Sequence, residues 1–164
     1  MHRLPLVVRG EWGAKKAKAT VKLKHPIRKI CFCWNPGVPT CDNQEDCMIT
    51  VKKMQSDHMK MGLMDIHYNF IVGGDGLIYE GRGWRVRSAK SRNTPKTHGL
   101  RLDIGYIGNE KVDPFQPPHK QCPPALKLIH YGVNYKFIVP IYDVFKDSKP
   151  IEHTPSPDDD INLL

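Results

Sequence analysis

The strongest short-period pattern runs from Tyr68 to Gly81. Tyr68-Asn69-Phe70-Ile71-Val72 is aromatic and β-branched with few polar interruptions, which suits a buried strand. Gly73-Gly74-Asp75-Gly76 follows, and glycines supply the positive φ values of a tight reversal. Leu77-Ile78-Tyr79-Glu80-Gly81 alternates as a second strand, so the segment predicts a hairpin between core strands, closed by Arg82-Gly83-Trp84. Ile27, Ile30, Cys31, Phe32 and Trp34 predict an earlier strand over Pro26 to Trp34, and Leu102 to Asn109 and Phe137 to Phe145 also read as extended. Between Asn43 and Met61 the period lengthens. Cys47, Val51, Met54, His58 and Met61 recur at helical steps and define one buried face. Asp42 or Asn43 caps that helix, Glu45 and Asp46 suit its first turn, and Gly62 ends it. A second helix is predicted over Pro123 to Tyr131, with Leu126, Ile129 and His130 on one side and Gly132 as its break. Ser156-Pro157-Asp158-Asp159-Asp160 has the cap, proline and acids of a further helix start. Residues 1–25 form a basic, weakly patterned lead-in.

Composition narrows the classes. A chain of 164 residues fits one domain with a real core, and 40% hydrophobic with 26% charged residues is ordinary for a globular protein. No run of about 18 or more apolar residues exists to insert into a membrane, and the N-terminus lacks the apolar core of a signal peptide. The net charge of +8 is concentrated in Lys15, Lys16, Lys18, Lys22, Lys24, Arg28 and Lys29, and again after Trp84. Such patches suit acidic polymers or plain solvation; no zinc-finger, helix-turn-helix or aromatic RNA-binding motif accompanies them, so nucleic acid is not an expected partner. His58, on the helix stripe, reads as a packed residue rather than a metal ligand. Cys31 and Cys33 are read as alternating along their strand, so that both do not face the core. Among Cys31, Cys33 and Cys122, one stays free or Cys122 pairs with another. The glycine turn lacks the spacing and lysine of a phosphate loop, and no cysteine sits in a nucleophile-elbow context.

The whole string from Asp65 to Trp84, DIHYNFIVGGDGLIYEGRGW, closely resembles the signature of the peptidoglycan recognition proteins, whose domain is similar to phage-type N-acetylmuramoyl-L-alanine amidases. Arg9-Gly10-Glu11-Trp12-Gly13-Ala14 resembles the family's opening element, whose tryptophan packs on the domain, and Leu102 to Asn109 resembles its "G-I-x-F-I-G-N" strand. The resemblance implies an α/β fold, a central mixed sheet of about five strands flanked by about three helices. It also implies a disulfide between Cys41 and Cys47, and an extracellular domain, of a membrane-anchored receptor or secreted. Amidases of this type hold zinc with two histidines and a cysteine, helped by a tyrosine. Here Cys33, or Trp34 in a shifted register, stands at the first histidine, Asp147 at the second and Ser156 at the cysteine; only the tyrosine matches, as Tyr68. Those three are a poor zinc set. The expectation is no metal, no cofactor and no amidase activity.

Non-catalytic relatives of this kind bind peptidoglycan fragments in the same groove. The candidates for that groove are His58, His67, Tyr68, Trp84, Arg85, Lys90 and Arg101. Several positions depart from the family pattern. Lys90 replaces a groove histidine, the loop through Asn93, Thr94 and Pro95 is longer than usual, and Gly99 stands where diaminopimelate-reading receptors carry arginine, with Arg101 expected to point elsewhere. A groove whose placed polar groups are replaced should bind a muropeptide weakly or not at all. The resemblance therefore implies a non-catalytic module like the insect receptor-type members. It would pair with homologous receptor ectodomains as a decoy that damps the immune deficiency pathway, or as a co-receptor. The alternative is a sensor of peptidoglycan fragments. Exposed apolar residues around Phe115 and Pro117 would favour the interface.

Overall fold

The computed structural model describes residues 3–35, 38–89, 101–108 and 121–146. In chain order they form β1 (Leu6–Val7), α1 (Arg9–Trp12), β2 (Ile27–Asn35), α2 (Gln44–Lys60), β3 (Phe70–Val72), β4 (Ile78–Glu80), β5 (Arg101–Ile107), α3 (Cys122–Asn134) and β6 (Ile138–Lys146). The strands make one mixed sheet in the order β1-β4-β3-β5-β2-β6. β3 and β4 are the predicted antiparallel hairpin, and every other neighbouring pair is parallel.

Side chains alternate between two packed layers, as the pleat requires. Ile30, Phe70, Val72, Leu102, Ile104 and Tyr106 face one way and meet Ala125, Leu128 and Ile129 of α3. Cys31, Cys33, Ile71, Tyr79 and Ile107 face the other way and join Cys47, Val51 and Met54 of α2. This arrangement corrects one expectation. Cys31 and Cys33 are two apart, residues at that spacing share a face, and both are buried, at 5% and 1% exposure.

The lead-in is also more than a tail. β1 extends the sheet beyond the expected strands by pairing with β4, Leu6 beside Ile78 and Val7 beside Tyr79. Two residues are too short to show a period. Trp12 is buried and donates from Nε1 to the Glu80 carbonyl at 2.9 Å. α2 begins as expected, with Asn43 Oδ1 accepting the Asp46 amide at 2.9 Å, and Gly62 follows it at φ 100°. Cys41 and Cys47 are joined by a disulfide, which closes the short loop into the helix; chain entropy alone makes that closure worth roughly 2 kcal/mol. Cys31, Cys33 and Cys122 take part in no disulfide.

α3 departs from its prediction in two ways. It runs through Gly132 to Asn134, and its buried residues are Pro124, Ala125, Leu128, Ile129 and Gly132, while Leu126 and His130 are exposed. Gly132 serves close packing rather than termination: a Cβ there would lie 2.7 Å from Trp84 Cη2 and 2.5 Å from Ile138 Cδ1. The anticipated helix at Ser156–Asp160 and the connector with Phe115 and Pro117 lie outside the described residues. Among the described residues, no helix is long and apolar enough to cross a membrane.

Candidate functional site

Tyr68 precedes β3 and lies on the α2 side of the sheet, 6% exposed. Its ring covers Gly105 of β5 so closely that a Cβ at Gly105 would come within 2.7 Å of Tyr68 Cδ2. Gly105 is thus bare because the tyrosine occupies the space a side chain would fill. Gly105 pairs in register with Cys33 of β2, so the tyrosine stands over the strand pair that carries the cysteines. Two histidines complete the aromatic group. The His67 ring lies 4.6 Å from Tyr68 and 6.0 Å from His58, each contact edge-on. His58 Nδ1 accepts the His67 amide at 3.0 Å, so a neutral His58 carries its proton on Nε2.

Below this group is a polar cluster that the sequence pattern did not single out. Asp103 is fully buried on β5, directly beside Cys31 of β2. Arg101 Nε donates to its Oδ1 at 2.8 Å, Arg101 Nη2 lies 2.7 Å from the same oxygen, and Ser88 Oγ donates to Oδ2. The Cys33 thiol lies 3.8 Å from Oδ1 and 3.9 Å from the Cys31 sulfur. Burial alone would lower the Arg101 pKa, but the neighbouring Asp103, then Cys31 and Cys33, with the Asp103 hydrogen bond, raise it overall. The guanidinium is therefore a fixed positive charge. Cys31, Cys33 and Asp103 offer donor atoms all within 4.8 Å of one another, a grouping able to hold a metal ion. The signal for Asp103 was present in the sequence as a lone acid inside Leu102-Asp103-Ile104, two residues after an arginine.

Asn69 anchors this region. Its amide nitrogen donates to the carbonyls of Gly83 at 2.9 Å and Val86 at 2.7 Å, while its Oδ1 accepts the Asp103 amide at 2.8 Å. The carbonyls of Asn69 and Tyr68 accept the amides of Gly81 and Arg82, and the Asn69 amide donates to the Asp103 carbonyl, so backbone pairing continues just before β3.

No family model matches the chain. Peptidoglycan recognition protein 1 of Bos indicus is 31% identical over 159 residues, covering 95% of this chain and 80% of the relative. The chain belongs to the peptidoglycan recognition protein family. Peptidoglycan-recognition protein LB of Drosophila melanogaster is 33% identical over 138 residues, 84% of this chain and 57% of the relative. Among solved structures, wild-type Drosophila PGRP-LB superposes with a TM-score of 0.79 at 30% identity, covering 93% of this chain and 88% of that one. The ectodomain of the Drosophila transmembrane receptor PGRP-LCa gives 0.75 at 31%, covering 85% and 82%.

Against this family fold, the sequence candidates divide. His58, His67, Tyr68, Cys33 and Arg101 lie on the α2 side. Trp84 and Arg85 do not join them. Trp84 stacks on Phe137 at 4.9 Å and packs on Phe70 and Tyr131, and Arg85 lies over the same Phe137 ring, all on the α3 side. Trp84 completes the core there because Gly132 leaves room for its indole. Lys90, Asp147 and Ser156 lie outside the described residues. Of the positions that the resemblance assigns to zinc ligands, only Cys33 is described, apart from the backbone of Trp34, and its neighbouring donors are a thiol and a carboxylate.

Proposed function

We propose that this chain is a non-catalytic ectodomain-type member of the family, acting by contact with homologous receptor ectodomains as a decoy or co-receptor of the immune deficiency pathway. The observation that carries this reading is the inward-turned network of Cys33, Asp103 and Arg101. Arg101 is the cation nearest the position that reads diaminopimelate in related receptors, and its fork is committed to Asp103. Cys33, which with Trp34 is one of the two positions read against the first zinc histidine, is 1% exposed with its thiol on the same carboxylate. A muropeptide site needs polar groups presented to the ligand, and these are turned onto one another. The kind of partner is supported by a structural neighbour, the ectodomain complex of PGRP-LCa and PGRP-LCx with tracheal cytotoxin, which has a TM-score of 0.78 to this chain.

A second reading is supported by the grouping of Tyr68, His58 and His67, and by PGRP-LB, a mutant of which is solved in complex with tracheal cytotoxin. In that reading the chain senses peptidoglycan fragments. Calorimetric titration with a diaminopimelate-type muropeptide, alone and with a ligand-binding homologous ectodomain, separates the two. The expected result is no heat alone and association with the homologue. Micromolar or tighter binding by the chain alone would replace the first reading with the second, and release of stem peptide from peptidoglycan would overturn both.

A further inference from the structure

We propose that Cys31, Cys33 and Asp103 bind one soft divalent cation of the zinc class, bracing β2 against β5 on the α2 side of the sheet. This goes beyond the proposed function and runs against the sequence expectation of no metal. Tetrahedral zinc takes sulfur at about 2.3 Å and carboxylate oxygen at about 2.0 to 2.2 Å, which sets two sulfurs about 3.8 Å apart and sulfur from oxygen about 3.5 Å apart. The observed separations are 3.9 Å between the sulfurs and 3.8 Å from Cys33 Sγ to Asp103 Oδ1. Those two separations match to within a few tenths of an ångström, and all three donor atoms lie within 4.8 Å of one another.

Ligand type and charge agree. Two thiolates select soft cations, and a carboxylate is an accepted third zinc ligand. On binding, the two thiol protons leave to solvent, so the donors contribute three negative charges. Arg101 supplies one positive charge and a dication two, which closes the balance inside a buried site. Ser88 on Oδ2 and Arg101 on Oδ1 already orient the carboxylate, the role that outer partners play around bound metals. Register gives the ligands rigid support: Cys31 and Asp103 are direct partners across two parallel strands, with Cys33 two residues along on the same face. All three ligands are at most 5% exposed. Three protein ligands leave a fourth position, and the burial of all three keeps substrate from it, so the cation here braces the strands rather than reacts.

The test is a cobalt titration of the protein with its Cys41–Cys47 disulfide intact, after treatment with a chelator. One equivalent should bind with a thiolate-to-cobalt charge-transfer band, and zinc should displace it. Cys31→Ser and Cys33→Ser should abolish the band, Asp103→Asn should weaken binding at least tenfold, and Cys122→Ser should leave the band intact. Absence of a sulfur band in the unaltered protein overturns the proposal without any variant. So does a band that survives loss of both Cys31 and Cys33. Circular dichroism establishes that each variant is folded; should the β2 variants unfold, the unaltered protein and Cys122→Ser decide between the strand thiols and the helix thiol. No muropeptide or partner enters the measurement, so its outcome is independent of the proposed function.

Discussion

Asp65 is nearly buried, and its carboxylate is shared by Arg9 at 2.9 Å, the Gln55 amide at 2.8 Å and the Ile66 amide at 2.7 Å. Arg9 also donates to the carbonyls of Gly81 at 2.7 Å and Lys15 at 2.8 Å, so one side chain ties the N-terminal segment to the hairpin and to the segment after α2. Replacing it leaves the buried acid with only the Gln55 and Ile66 amides, and losing the charged partner of a half-buried pair costs roughly 1 to 3 kcal/mol. Arg9→Ala should therefore lower the unfolding free energy by that amount, read as a lower urea midpoint at unchanged slope, and adding Asp65→Asn should restore part of the loss. Gly105 makes a separate point about the site. Gly105→Ala drives a methyl into the Tyr68 ring, an overpacking that costs roughly 1 to 3 kcal/mol. Because His67 packs edge-on against that ring, its proton resonances should shift while the Trp84 indole resonance holds still. A Trp84 shift of equal size would show that the two faces are not independent. At this scale the sequence was readable where a residue acts locally through its own type, as with Asn43, one of the two cap candidates. It was unreadable where the partner is distant: Asp103 and Ser88 meet although 15 residues apart in sequence, and Trp84 took the side of the sheet that Phe137 and Gly132 left open to it.

α2 and α3 show what element-level patterns can carry. α2 has a cap, an acidic first turn and a terminal glycine, and all of these act locally, so its bounds could be placed to within a residue. In α3 the same local logic misplaced the end, because Gly132 looked like a stop when judged only by propensity. Its reason is tertiary. Gly132→Ala should gain up to about 1 kcal/mol of helix propensity and lose more by crowding, since Trp84 is already packed among Phe70, Phe137 and Tyr131. A net loss of about 1 kcal/mol in a denaturant titration is expected, together with a moved Trp84 indole resonance and an unmoved His67. A more stable variant would mean that the glycine is tolerated rather than required. β1 lies at the opposite limit. Two residues hold no period, and β1 exists because β4 offers it a parallel edge.

Strand order is a property of the whole chain, which is why the fold class followed from a family signature while the placement of β1 and β6 at the two edges did not. Net charge is likewise a whole-molecule quantity, and it bears on how any binding result must be read. Lys15, Lys16, Lys18, Lys22, Lys24 and Arg28 are all exposed, on a chain of formal charge +8. A surface of that kind attracts any polyanion, including acidic cell-wall material, without a shaped site. Ionic strength separates the two causes. The Debye length falls from about 10 Å at 0.1 M salt to about 3 Å at 1 M, so attraction between exposed charges fades while contacts in a shaped, partly dry site persist. Polyglutamate should therefore bind detectably at low salt and release entirely by about 1 M. Association with a homologous ectodomain, if it rests on packed surface, should survive the same change with less than about a tenfold loss of affinity. Polyglutamate held at high salt would reveal a built anion site in this chain. A homologue released along with polyglutamate would reduce the proposed partnership to non-specific charge.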